Sequence, residues 1–169
     1  MLILLVGPKG SGKSHIGRAL EQHLGVFFFH VEPLWMAFNA ECAAAGIPVD
    51  ISQGIRKVHP EIAAALTQHD RVCVETTGAS VEILEDLLAL GERHGMLRVR
   101  IEAPLSVCME RIRHRDPEHQ IPMAEDMIRR VYQRSVALEL PFDLIIENVG
   151  LSTEVLVARV RAAIDGSSE

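Results

Sequence analysis

The chain has 169 residues, 48% hydrophobic and 24% charged, with 12 Gly and 8 Pro, so it reads as one globular domain with a sizeable core and excludes disordered, collagenous and fibrous classes. Its 23 acidic and 17 basic residues leave a formal net charge of -6, with 4% aromatics, so no nucleic acid and no membrane is expected as a main partner. Cys42, Cys73 and Cys108 lack CxxC spacing and the eight His lack HxxxH or HExxH spacing, so reduced core thiols and no protein-bound transition metal are expected.

The apolar run at residues 2–6 has no basic segment before it and stops at Gly7. It is too short for a signal h-region or a membrane span. It reads as a buried parallel strand, and the chain as cytoplasmic. Gly7-Pro-Lys-Gly-Ser-Gly-Lys-Ser14 follows directly, and Ile16, Ala19, Leu20 and Leu24 then repeat with helical period. A second strand is expected at 26–30. Residues 33–60, with Trp35, Pro48, Gly54 and Pro60, form a long excursion that does not fit a simple repeating unit. A third strand is expected at 71–75, and an apolar helical face follows Ser80. Next come a strand at 97–102 and a helix carrying Leu105, Cys108, Met109 and Ile112. Residues 113–123 are polar, contain two prolines and read as a mobile loop. A last strand at 143–147 precedes a helix with Ser152 as N-cap and Gly166 as stop; 166–169 are expected to fray. Strands alternating with helices imply βαβ units, a parallel sheet covered on both faces, and ligand binding where the strands end.

Gly7 to Ser14 fit the phosphate-loop pattern G-x-x-x-x-G-K-[ST] in its required context, after a strand and opening a helix. Phosphates take several backbone N–H groups at once, so the chain must wrap closely around them, and glycine permits that wrap. The helix N-terminus adds free N–H groups and a favourable dipole. Lys13 supplies a point charge, and the Ser14 hydroxyl is a hard ligand for Mg²⁺. Gly7, Pro8, Lys9, Gly10, Ser11, Gly12, Lys13, Ser14 and His15 are therefore the expected nucleotide-binding residues.

The stretch Leu5-Val-Gly-Pro-Lys-Gly-Ser-Gly-Lys-Ser-His-Ile-Gly-Arg-Ala-Leu20, continuing through Leu24-Gly-Val-Phe-Phe-Phe-His-Val-Glu32, resembles the small P-loop kinases, with the shikimate kinases as the nearest model. The resemblance implies a single α/β P-loop NTPase domain over 1–165. It implies a five-stranded parallel sheet of order 2-3-1-4-5 with helices on both faces, an acceptor-binding excursion at 33–60 and a lid at 113–123. It implies ATP and Mg²⁺ as cofactors, a small-molecule acceptor as partner, and a monomer or homodimer. Three departures concern the acceptor. His30-Val-Glu32 stands where the family carries Asp-x-Asp, Thr76-Thr-Gly78 where it has a triple glycine, and Arg111-Ile-Arg-His-Arg-Asp-Pro117 where its lid carries Arg-Pro-Leu-Leu.

Glu32 falls on the family's base-like, substrate-binding Asp, where a carboxylate can orient a hydroxyl and accept its proton; a solvated helix-start charge is the alternative. Glu75 ends the apolar run Val72-Cys-Val-Glu, where a charge needs a partner. Mg²⁺ through water or a structural arginine pair would serve. Arg56 is the best match to an acceptor-binding arginine, against a plain surface role. Gly78 lines the acceptor pocket or forms a turn. Arg111 and Arg115 are expected to close over the phosphates. Arg129 is a further acceptor candidate, against a solvated i, i+4 pair with Glu125. The expected activity is transfer of the γ-phosphoryl group of ATP to a small-molecule hydroxyl. A nucleoside or nucleotide kinase, or a nucleotide-dependent regulatory protein, remains the alternative.

Overall fold

β1 (Leu2–Val6) has five consecutive buried side chains, which requires a packed layer on each side of the strand. In the computed structural model, which describes residues 1–115, 121 and 123–166, both layers are present. Ile3 and Leu5 point to a cluster with Ile16, Leu20, Leu156 and Val160. Leu2, Leu4 and Val6 point the other way, to Val58, Ile62, Leu84 and Leu87. The period of two along the strand thus assigns alternate residues to opposite helical layers. Each such side chain contributes about 2 kcal/mol by leaving water.

The sheet is parallel throughout, in the order β2-β3-β1-β4-β5. The other strands are β2 (Phe27–Phe29), β3 (Val72–Thr76), β4 (Met96–Glu102) and β5 (Leu144–Glu147). α1 (Lys13–Leu24) and α7 (Thr153–Gly166) cover one face. α3 (Ile51–Gln68) and α4 (Val81–His94) cover the other. α5 (Leu105–Arg113) and α6 (Glu125–Val136) follow β4. All five expected strands form, each within one residue of its expected bounds.

The excursion at 33–60 is helical: α2 (Val31–Ala45) and then α3. Pro33 sits in the first turn of α2, where a missing N–H costs nothing. Asp50 caps α3 by accepting from Ser52 N at 2.8 Å and Gln53 N at 3.3 Å, and α3 runs on through Pro60. Of the expected lid, residues 116–120 and 122 lie outside the described residues, as do 167–169 of the tail. Cys42, Cys73 and Cys108 are buried and free. No helix among the described residues is long and apolar enough to cross a membrane.

Candidate active site

β1 delivers the phosphate loop to the edge where the parallel strands end, and Gly7 N donates to Thr76 O at 3.2 Å. Gly10 and Gly12 take φ of +83° and +100°, a region L side chains avoid. A Cβ on Gly7 would lie 2.2 Å from Ile101 O, and one on Gly10 would lie 2.4 Å from Cys108 O, so the loop rests directly on β4 and α5. Lys13 Nζ donates to Gly7 O at 2.7 Å and Pro8 O at 3.0 Å. Burial holds its pKa below the usual lysine value, against the opposing charge of Glu75. Ser11 Oγ is buried and has no hydrogen-bond partner among the described residues. A tight glycine wrap, a buried ammonium resting on loop carbonyls and an unpaired hydroxyl fit a polyphosphate tail.

The underside of the loop is held by two side chains. Asn148 Nδ2 donates to Ser11 O at 2.8 Å. Arg111 donates from Nη1 to Ser11 O at 3.2 Å and from Nη2 to Asn148 O at 2.9 Å. Arg111 therefore lines the site with its guanidinium on the loop carbonyls, where it was expected to close over the phosphates. α5 is anchored against the loop, so its guanidinium reaches carbonyls first.

Ser14 Oγ donates to the Glu75 carboxylate, 2.9 Å from each oxygen. A hydroxyl and a carboxylate facing each other suit a hard divalent cation that completes its shell with phosphate and water oxygens. No group of three or more His, Cys, Asp or Glu that could cage a metal occurs among the described residues.

Glu32 stands in the first turn of α2. It accepts from Arg115 Nη2 at 2.7 Å and Ile121 N at 3.0 Å, and Lys9 Nζ is 3.7 Å away. Lys9 Nζ in turn donates to Ile121 O at 2.8 Å. Burial pushes the Glu32 carboxyl up. The Ile121 N–H, the Arg115 and Lys9 charges and the Arg115 hydrogen bond outweigh that and hold it below the usual range. Glu32 and Arg115, treated separately in the sequence reading, are one ion pair. Burial lowers the Lys9 pKa, with Glu32 opposing.

These groups open into one cavity of about 540 Å³. Lys9, Lys13, Ser14, Glu32, Glu75 and Arg115 all line it, as does the exposed His15, whose Nε2 is 3.1 Å from Thr153 Oγ1. Three expected acceptor residues do not. Arg56 is exposed on α3, because the helical period turns Ile55, Val58 and Ile62 to the cavity instead. Arg129 is exposed on α6 and paired with Glu125 at 2.7 Å. Gly78 is a buried turn at φ +70°; a Cβ there would meet Leu138 and Val6, at 2.8 and 3.0 Å.

Sequence reasoning missed three residues. Arg18 lines the cavity one turn after Ser14, and its i+4 spacing was the available signal. Asp86 interrupts the apolar cavity stripe Ile83, Leu87 on α4, and its Oδ1 lies 2.7 Å from His59 Nδ1 on α3. Asn148 gave no local signal, because its target, Ser11, is 137 positions away.

The sequence matches the family model described as an AAA domain over residues 2–138. It is 31% identical over 169 residues to a shikimate kinase of Ruegeria pomeroyi, covering 96% of this chain and 84% of that one. It is 28% identical over 168 residues to a shikimate kinase of Halorhodospira halophila, covering 97% and 93%. In fold it is similar to a sugar kinase from Janibacter, with a TM-score of 0.69, 16% identity, and 97% and 94% of the two chains covered.

Proposed function

This chain belongs to the P-loop kinases whose relatives include the shikimate kinases, phosphotransferases acting on a hydroxyl group, and from that premise we propose that it is an ATP-dependent, Mg²⁺-requiring kinase for a small-molecule alcohol. One observation carries the reading: the Lys13 cradle and the Ser14–Glu75 pair open into the same cavity as a separate wall built by α2, α3 and α4. A donor and an acceptor can therefore meet inside one enclosure.

In this reading the loop amides and Lys13 Nζ bind the phosphate tail, the ammonium exchanging the Gly7 and Pro8 carbonyls for phosphate oxygens. Ser14 Oγ and Glu75 would hold Mg²⁺, which when bound neutralises charge on the transferring group. Glu32 orients the acceptor hydroxyl. Its depressed pKa makes it a weak proton acceptor, which suits a loose transition state that asks little of a base. Arg115, tied to Glu32, brings a guanidinium to the same place, while Arg111 keeps the loop rigid beneath it. Segment 33–60 supplies the acceptor side through α2 and α3.

A nucleoside acceptor is the second reading. Trp35 on the cavity wall favours it, because an indole stacks a base well. Coupled ADP release over a panel of polyols, aromatic alcohols and nucleosides separates the two. Calorimetry of ATP and GTP at millimolar Mg²⁺ tests the premise. Absence of heat from both would end the kinase reading.

A further inference from the structure

The walls of the cavity differ in chemistry. Among the described residues its lysines and arginines are Lys9, Lys13, Arg18, Arg111 and Arg115, all from the phosphate loop, α1, or α5 and the residues just after it. The opposite wall, from α2, α3 and α4, is mainly apolar, with Trp35, Ile55, Val58, Ile62, Ile83 and Leu87. Its charged side chains are both acidic: Glu32, already engaged by Arg115 and Lys9, and Asp86. The arginine and lysine of α3 turn away from it, since Arg56 is exposed and Lys57 pairs with Glu41, and the titratable His59 of the same helix meets the wall at Asp86, 2.7 Å away.

A carboxylate or phosphate on the acceptor would be desolvated against this wall with no lysine or arginine from its described residues, and would face Asp86. Like charges brought together in such a place are strongly disfavoured. Asp86 itself has acceptor sites on two oxygens, and His59 engages Oδ1 at 2.7 Å. Asp86 lines the cavity beside the hydrocarbon side chains Ile83 and Leu87 of its own helix. Such a group selects for a ligand that brings its own donor.

Resting on the kinase reading, we infer that the acceptor is an alcohol on an apolar body without an anionic group, and that Asp86 receives a second hydroxyl or an ammonium of that acceptor. Asp86 is then a specificity-determining residue. Carboxylated and phosphorylated alcohols are excluded by the wall that a kinase for such substrates would line with arginine.

Three benzyl alcohols whose para group is anionic, neutral or cationic test this: para-(hydroxymethyl)benzoate, para-methylbenzyl alcohol and para-(aminomethyl)benzyl alcohol. Each is titrated into the full chain without nucleotide, by calorimetry and by the fluorescence of Trp35, the one tryptophan. The neutral and ammonium compounds are expected to bind at least about tenfold tighter than the carboxylate, a gap set by the missing cation. Asp86→Asn should remove the advantage of the ammonium over the neutral compound. Equal or tighter binding of the carboxylate overturns the inference, as does failure of all three to bind at millimolar concentration. If the variant does not fold, the ranking on the parent protein still decides. ATP is titrated separately, so loss of ATP heat sinks the kinase reading without altering the ranking, and a reversed ranking sinks only the acceptor class.

Discussion

Ser14 Oγ stands 2.9 Å from each carboxylate oxygen of Glu75, joining the first turn of α1 to the end of β3. A buried-edge carboxylate held this way is positioned by the sheet and not by a flexible loop, so its distance to the loop hydroxyl is fixed before any ligand arrives. Glu75→Gln keeps the shape and removes the charge. The Mg²⁺ concentration for half-maximal ADP release should rise about tenfold, with excess Mg²⁺ restoring much of the rate. An unchanged Mg²⁺ curve would assign Glu75 to structure alone.

Lys13 carries a charge that the fold disfavours without phosphate. Burial lowers its pKa, the Glu75 charge opposing, so the unfolded chain binds this proton more tightly. Stability therefore rises with pH between the lowered folded value and about 10.4. Lys13→Met should melt at or above the parent temperature without nucleotide and lose that alkaline rise. It should also lose turnover by at least about a hundredfold, and ATP should no longer raise its melting temperature. A variant that melts lower yet is still stabilised by ATP would contradict both parts.

Much of this was legible from local pattern. The phosphate loop, five strands and their alternation with helices were visible because each is written in contiguous residues, and the strand order came with the family resemblance. The acceptor side was not. Arg56 looked suitable by region, but a helix through 51–68 turns Ile55 and Val58 inward and leaves it outside. That helix was hidden by Pro60 and Gly54, which read as loop punctuation. Arg111 was legible as a site residue, but its contacts were not, since its partners Ser11 and Asn148 are set by tertiary packing. The ion pair between Glu32 and Arg115 spans 83 positions, beyond the reach of any periodicity.

Glu32 is a carboxylate whose folded pKa is depressed: burial acts against ionisation, but Ile121 N–H, Arg115 and Lys9 together prevail. The stability it lends is fully present above the unfolded value of about 4.3 and disappears as pH falls through the lower folded value. The Arg115–Glu32–Ile121 contacts should thus be unchanged from pH 8 to roughly pH 5, and break only in stronger acid. Glu32→Gln should cost about 1–2 kcal/mol at pH 7, most of it lost below about pH 4. Thermal melts of both proteins across pH check this; a constant difference down to pH 3 would rule out a charge-based clasp.

Asn148 is buried and ties β5 to the phosphate loop through Ser11 O at 2.8 Å, while its own N–H reaches Glu102 O at 2.7 Å. Asn148→Ala leaves the Ser11 carbonyl short of a donor and opens space beside Gly12. The expected loss is about 1–3 kcal/mol of stability, with weaker ATP binding and no change in acceptor binding. Asn148→Asp should be worse than Ala, because a carboxylate brings an acceptor, not a donor, to that carbonyl, which then keeps the weaker 3.2 Å bond from Arg111. If Asp equals Asn in ATP affinity, the amide is not the brace.

Gly54 sets the position of the indole on the acceptor wall. A Cβ at this site would lie 2.2 Å from Trp35 Cζ3 and 2.4 Å from Cη2, so α2 and α3 approach through a residue without a side chain. Gly54→Ala forces the ring or the helix aside. Overpacking of this kind costs about 1–3 kcal/mol, partly offset by the better helix propensity of alanine. Because Trp35 is the one tryptophan, its emission should shift in the variant and respond less to para-methylbenzyl alcohol, while the heat of ATP binding stays as in the parent. The wall and the phosphate cradle are separate parts of one cavity, so damage to the wall should not reach the nucleotide. Coupled loss of both would mean that α2 and α3 are braced by the loop itself.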